Sequence, residues 1–254
     1  MISLAGRAAL VTGGSRGIGA STVKLFAQAG ADVVFSYKRN RKAAAEVEQD
    51  ARKHGTRVES FKADLSRMEE AKKITDFTHE RLGRIDIVVA NAGVWNEKDA
   101  PIERIEEHEW DEMIRNNLKS VYSAIHYSVP YMIEQKAGRI IAISSTAGQR
   151  GEAFHAHYAA AKGGIISLVK GLAAELARYN ILVNCVAPGW VDTDMSAPIL
   201  KRKNAVKAIV ATIPLKRVAT AAEIAGPIVF AASDLATFVT GEVINVNGGS
   251  VLCG

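Results

Sequence analysis

Cysteine is nearly absent from this chain: there are two, Cys185 and Cys253, among 254 residues. Two such residues make neither a disulfide framework nor a zinc cluster, and a chain of this length buries enough apolar surface to fold without either. A reducing, cytoplasmic setting is the expectation, with Cys185 a buried small hydrophobe inside its apolar run. Long hydrophobic runs are missing too. None approaches the ~18 residues of a membrane helix. Met1 to Leu10 has one arginine and no long apolar core, so neither a membrane span nor a signal peptide is expected. Aromatics make up only 6% and do not stud a basic stripe, which argues against nucleic acid despite a net charge of +5. The basic clusters Lys38-Arg39-Asn40-Arg41-Lys42 and Lys201-Arg202-Lys203 suit either a small anionic partner or plain solvation. No spacing of His, Cys, Asp or Glu suits a metal, and none is expected.

What is present is a glycine-rich turn, Thr12-Gly13-Gly14-Ser15-Arg16-Gly17-Ile18-Gly19, placed after a short apolar run and before an amphipathic one. Glycines at 13, 17 and 19 let the backbone approach a pyrophosphate, and the helix start supplies free amides and partial positive charge. The spacing is G-x-x-x-G-x-G rather than G-x-G-x-x-G. Far along the chain, Tyr158 and Lys162 stand four residues apart. On a helix they share one face, where an ammonium would favour the phenolate and lower the phenol's pKa from ~10. A proton-transferring pair and a nucleotide turn together suggest hydride chemistry.

Apolar and amphipathic runs alternate throughout. Strands are expected at Arg7 to Thr12, Asp32 to Ser36, Arg57 to Phe61, Ile85 to Ala90, Arg139 to Ser144, Ile181 to Ala187 and Glu242 to Val246. Helices are expected to about Ala29 (stopped by Gly30), over Arg41 to His54, from a Ser66/Glu69 capping box to Leu82, over Ile105 to Ile133, His155 to Tyr179, and Ala221 to Ala232. Strands separated by helices imply a doubly wound α/β fold: a Rossmann-type parallel sheet of seven strands, helices on both faces, one domain over 1–254. Asp194 to Arg217, with Pro198 and Pro214, fits neither period and is expected to be a mobile flap.

The end of the second strand, Ser36-Tyr37-Lys38-Arg39, offers no acid for ribose hydroxyls. Arg16 with Lys38 or Arg39 would instead clamp a 2′-phosphate, so NADP(H) is preferred and NAD(H) is the less favoured cofactor.

With Asp64-Leu65, Asn91-Ala92-Gly93, Asn117, Ser144-Ser145, Pro188-Gly189 and Thr193 added in order, nearly the whole chain resembles the short-chain dehydrogenase/reductase family. The resemblance implies hydride transfer between nicotinamide and a carbonyl or secondary alcohol. It assigns Tyr158 as general acid or base, Lys162 as its partner and a ribose ligand, Ser145 as the donor that holds the substrate oxygen, and Asn117 (rather than Asn116) as holder of a water. It places Ser15, Gly17, Ile18 and Gly19 at the phosphates, Tyr37, Asp64, Leu65, Asn91, Ala92 and Gly93 around the adenosine, and Pro188, Gly189, Val191 and Thr193 at the nicotinamide. Within the family the chain is most similar to 3-oxoacyl-acyl-carrier-protein reductases of fatty acid biosynthesis. Arg139 matches a basic position implied to touch the acidic carrier, and the arginine expected before the sixth strand is displaced to Arg178. Enzymes acting on sugars, steroids or small ketones are the alternative; a nucleotide sensor without chemistry is another. Trp95, Gln149, Arg150 and Trp190, which follow strand ends, are candidate substrate-pocket residues. His155 and His157 flank the tyrosine and are assigned to helix-start polarity or subunit contact. The family's habit implies a homotetramer formed through the two long central helices.

Overall fold

The computed structural model describes residues 2–253. Strands β1 (Ala8–Val11), β2 (Asp32–Tyr37), β3 (Val58–Lys62), β4 (Ile87–Ala90), β5 (Gly138–Ile143) and β6 (Ile181–Pro188) are joined by helices, and two two-residue strands, β7 (Val191–Asp192) and β8 (Ala219–Thr220), precede β9 (Val243–Val246). The main sheet has the order β3-β2-β1-β4-β5-β6-β9, and every pairing in it is parallel. This is the expected seven-stranded doubly wound sheet; the small β7-β8 pair is an addition to it.

Near-continuous apolarity along the strands has a direct cause. Ala9 and Val11 face one helix layer, with Val23, Phe26 and Ile228, while Ala8 and Leu10 face the other, with Ile74, Ile125 and Ile165. Each large aliphatic side chain so enclosed contributes roughly 1.5–3 kcal/mol. The first layer is made by α1 (Gly17–Gln28), α2 (Arg41–Arg52) and α10 (Ala221–Ala232); the second by α3 (Met68–Leu82), α5 (Ser120–Gln135) and α7 (Ala156–Leu176). Cys185 is fully buried in the second layer, as expected.

Several expectations are corrected. The Ser66/Glu69 capping box does not form: α3 begins at Met68, the Ser66 hydroxyl donates to Asp64 Oδ1 at 2.7 Å, and Glu69 is held by Arg67. The single helix expected over Ile105 to Ile133 is three pieces: α4 (Glu107–Ile114), a π-helical turn (Arg115–Lys119) and α5. A short helix not foreseen, α6 (Thr146–Arg150), follows β5. The expected flap holds α8 (Ala197–Leu200) and α9 (Lys203–Ala211), tied to the loop after β4 by Arg202 and Glu97 at 2.8 Å. No residue of α9 is fully buried, but its half-buried positions Ala205, Val206, Ile209 and Val210 recur at helical spacing.

Strand order reverses between β1 and β4, since β1 connects outward to β2 on one side and pairs with β4 on the other. Loops leaving the carboxyl ends of these two strands diverge and open a crevice there, which is where ligands bind in open α/β sheets.

Candidate active site

The glycine turn joins β1 to α1. Gly13 and Gly17 adopt φ of +69° and +54°, a region that favours glycine. A Cβ at Gly19 would lie 2.2 Å from the Gly13 carbonyl oxygen, and one at Gly14 would lie 2.6 Å from Phe35. The turn is braced from below: the Gly13 amide donates to Ser36 Oγ at 2.9 Å, and Asn91 Nδ2 donates to the Thr12 carbonyl at 2.8 Å. No side chain caps the start of α1, so its amides remain available to a phosphate. A dinucleotide therefore fits this cradle sterically and electrostatically.

Beyond the turn lies an open cleft of about 890 Å³, the largest share of whose wall comes from the carboxyl ends of β4, β5 and β6. Ile18, Asn91, Gly93, Trp95, Asn117, Ser145, Tyr158, Lys162, Pro188, Gly189, Trp190, Val191 and Thr193, all named from the sequence, border it. Gly13, Ser15, Arg16, Gly17, Gly19 and Ala92 lie in the turn beside it or directly behind. Tyr37 and Lys38 leave β2, and Asp64 and Leu65 follow β3, one and two strands outward from the turn. Lys38 Nζ lies 2.8 Å from Asp64 Oδ2. Burial alone would raise the Asp64 pKa, but Lys38 and Ser66 outweigh it and hold the carboxyl below its ordinary value. Arg16 and Arg39 are exposed and form no ion pair among the described residues.

Ser144 and Ser145 both border the cleft but differ in their bonds. Ser144 Oγ donates to the Lys162 carbonyl at 2.8 Å, while Ser145 precedes α6 and accepts from the Ala147 amide at 3.1 Å. Asn117 sits in the π-helical turn, a feature that often marks functional sites. Its Oδ1 accepts from the Val94 amide at 3.1 Å and its Nδ2 donates to the Met113 carbonyl at 3.1 Å, whereas Asn116 donates back to the Glu112 carbonyl and is not in the cleft.

Tyr158 and Lys162 share one face of α7, and both are buried. The Lys162 ammonium lies 5.8 Å from the Tyr158 ring centroid and donates to the Ile143 carbonyl at 2.9 Å. The expected acidification of the phenol is not what this geometry produces. Burial raises the Tyr158 pKa well above its ordinary value, opposed only in part by its hydrogen bond with Ser145. Burial likewise lowers Lys162 to about 8. Desolvation is the largest influence on both groups, and the ammonium gives its hydrogen bond to the Ile143 carbonyl rather than to the phenol.

Three further expectations change. Gln149 does not line the cleft: its amide donates to Asn245 Oδ1, and Asn245 in turn donates to the Cys253 carbonyl at 3.0 Å. Its neighbour Arg150, also a candidate, does line the cleft, together with Glu152, which sequence reasoning missed because it lies in an irregular loop without a motif. Arg139 sits at the amino end of β5, in a notch with Arg7 and Asp86, opposite the cleft. His155 is buried and stacks on Trp95 with ring centroids 5.1 Å apart, and His157 faces a neighbouring groove with Glu109 and Glu112. Trp95 meets Trp190 edge-on, with centroids 5.8 Å apart. No group of three or more His, Cys, Asp or Glu side chains among the described residues could hold a metal, and no helix there is long and apolar enough to cross a membrane.

These features define a nicotinamide-dependent oxidoreductase site, and comparison with known proteins places it: the chain belongs to the short-chain dehydrogenase/reductase family. Residues 13–250 match the family model described as enoyl-(acyl carrier protein) reductase. The chain is 37% identical over 249 residues to the 3-oxoacyl-[acyl-carrier-protein] reductase FabG of Thermotoga maritima, covering 98% of this chain and 99% of that protein. It is 39% identical over 247 residues to the protein of the same name from Chlamydia muridarum, covering 97% and 98%. Solved structures that it resembles include a short-chain alcohol dehydrogenase of Sinorhizobium meliloti (33% identity, TM-score 0.92, covering 98% and 97%). Levodione reductase is another, with 31% identity, a TM-score of 0.91 and coverage of 96% and 97%.

Proposed function

We propose that this chain is an NADP(H)-dependent reductase of ketones, acting as one catalytic domain. The observation that carries this reading is the convergence of Asn117, Ser145, Tyr158 and Lys162 on the cleft that opens beside the glycine turn. When bound, the nicotinamide supplies or accepts the hydride. Ser145 and Tyr158 hold the substrate oxygen between two hydroxyls. A phenol kept protonated by burial is a proton donor, which suits reduction: as charge develops on the oxygen, the Tyr158 proton moves to it. Lys162 fixes the ribose side of the cleft and, with Asn117, connects the phenol to solvent for reprotonation. Gly13 to Gly19 take the pyrophosphate, with Asp64, Leu65, Asn91, Ala92 and Gly93 around the adenosine and Pro188, Gly189, Val191 and Thr193 along the nicotinamide.

Preference for NADP(H) is supported by the exposed guanidinium groups of Arg16 and Arg39 and by the absence of an acid at the end of β2. A 3-oxoacyl chain on acyl carrier protein is the substrate the names of the curated relatives support. A second reading, a small hydroxylated ketone, is favoured by the charged side chains of Arg150 and Glu152 inside the cleft. Exposed apolar residues, among them Tyr122 on α5, Leu235, Leu252 and fully exposed Phe238, support assembly into a homotetramer, which light scattering would test. The activity itself is tested by NADPH absorbance against acetoacetyl thioester, ketoses and simple ketones; failure with every carbonyl would overturn it.

A further inference from the structure

Among the described residues, Glu152 is the one acidic side chain that lines the cleft. Its side chain is 24% exposed, and burial raises its pKa, with the His155 ring and the Trp95 indole opposing. Such a carboxylate ordinarily has a committed partner. The nearest cation-capable group is His155 Nδ1, at 3.7 Å from Glu152 Oε1. His155 Nε2, however, lies 2.8 Å from the Asn96 carbonyl, which can only accept. His155 Nδ1 lies 3.3 Å from the Ala153 carbonyl, so both ring nitrogens face backbone acceptors, and at 3.7 Å the Glu152 carboxylate is beyond hydrogen-bond distance of the ring. Arg150, on the cleft rim, forms no ion pair with Glu152. The Trp95 indole occupies one acceptor site, and the carboxylate keeps its remaining acceptor capacity where it borders the cleft.

Its loop is held firmly. The Ala100 amide donates to the Phe154 carbonyl at 3.1 Å, His155 binds the Asn96 carbonyl, and Phe154 is kept at φ +64°, a conformation uncommon for a bulky residue. A fixed acceptor, a guanidinium donor and two indole walls surround the space in front of Ser145 and Tyr158. A long acyl chain there would desolvate both charges without compensation. A cationic substrate would meet Arg150, and an anionic one Glu152. A neutral molecule with several hydroxyls uses both, and its C–H faces can lie against the indoles.

Resting on the reductase reading, we propose that Glu152 is a specificity-determining residue that accepts a substrate hydroxyl, so that the substrate is a small polyhydroxylated ketone or the corresponding polyol. The test compares kcat/KM for xylulose, acetoacetyl-CoA and aminoacetone with NADPH, in the wild type, E152Q and E152L. Tryptophan-quench titration of NADPH and circular dichroism verify that each variant is folded. The wild type is expected to favour the ketose over the thioester at least tenfold. Both variants should reduce that ratio ten- to hundredfold, chiefly through KM, with E152Q the milder. Wild-type preference for the thioester, with a ratio unmoved in E152L, overturns the proposal. Preference for aminoacetone that disappears in E152Q also overturns it, by making this an ammonium site. Bound NADPH without turnover of any of the three defeats the reductase reading itself.

Discussion

The Lys162 ammonium is held on the carbonyl oxygen of Ile143, 2.9 Å away, rather than on the Tyr158 hydroxyl four residues before it. The end of β5 therefore orients the lysine, and burial leaves the tyrosine protonated beside Ser145. Replacing Tyr158 by Phe removes the donor with little change in shape. We expect kcat to fall by about 10²–10⁴-fold, as for loss of a general acid, while the dissociation constant for NADPH changes less than threefold. Unaltered kcat in Y158F would remove Tyr158 from the chemistry.

The same enclosure makes a prediction about pH. Burial lowers Lys162 from 10.5 to about 8, so the folded state releases this proton before the unfolded state does. The associated penalty is complete below about pH 8 and fades as pH rises toward 10.5. The stability of wild type minus K162M should therefore be flat below that window. Across it the difference should rise by about 3 kcal/mol, because a tenfold change in proton concentration is worth about 1.36 kcal/mol. Urea denaturation at a series of pH values measures it; a difference that falls with pH contradicts the burial of the amine.

Cofactor choice is expected to depend on the exposed guanidinium groups. A charge-assisted hydrogen bond contributes about 1.5–3 kcal/mol, so R16A and R39A should each lower kcat/KM for NADPH about 10- to 100-fold and leave NADH nearly unaffected. K38A should have a smaller effect, since Lys38 already has Asp64 as partner. A wild type at least tenfold better with NADH would end the assignment.

Two glycines allow a controlled comparison. G19A places a methyl 2.2 Å from the Gly13 carbonyl, so the turn must open. A loss of about 1–3 kcal/mol is expected, together with weaker NADPH binding. G171A, at an exposed position of α7 with nothing within 4 Å, should stabilise by about 0.5–1 kcal/mol. Thermal melts with and without NADPH separate the two; equal effects would show that the turn is slack.

The sheet is legible in the sequence because burial on both faces demands unbroken apolar strands, and Ile87–Ala90 or Ile181–Pro188 leaves little alternative. The cleft is legible where a spacing carries geometry, as for Tyr158 and Lys162, or where a glycine meets a backbone. What the sequence does not display depends on the third dimension. The π-helical turn at Asn117 differs from an α-helix by one extra residue, a shift of phase too local to stand out within a helical pattern. Ser66 has the form of a cap, but Asp64 two residues earlier competes for its hydroxyl. Gln149 and Glu152 exchange roles because α6 turns the first away from the cleft, and no periodicity announces a five-residue helix. The phenol's acidity is misjudged from the sequence because adjacency is visible there and desolvation is not.

The Gln149–Asn245–Cys253 relay means that the segment around Cys253 grips the small helix from which the selective wall of the cleft extends. Altering Asn245 or the residues near Cys253 would loosen that wall while leaving the reacting groups in place. Substrate range can thus drift through changes in that segment alone, a route to new preferences that leaves every residue touching the substrate unchanged.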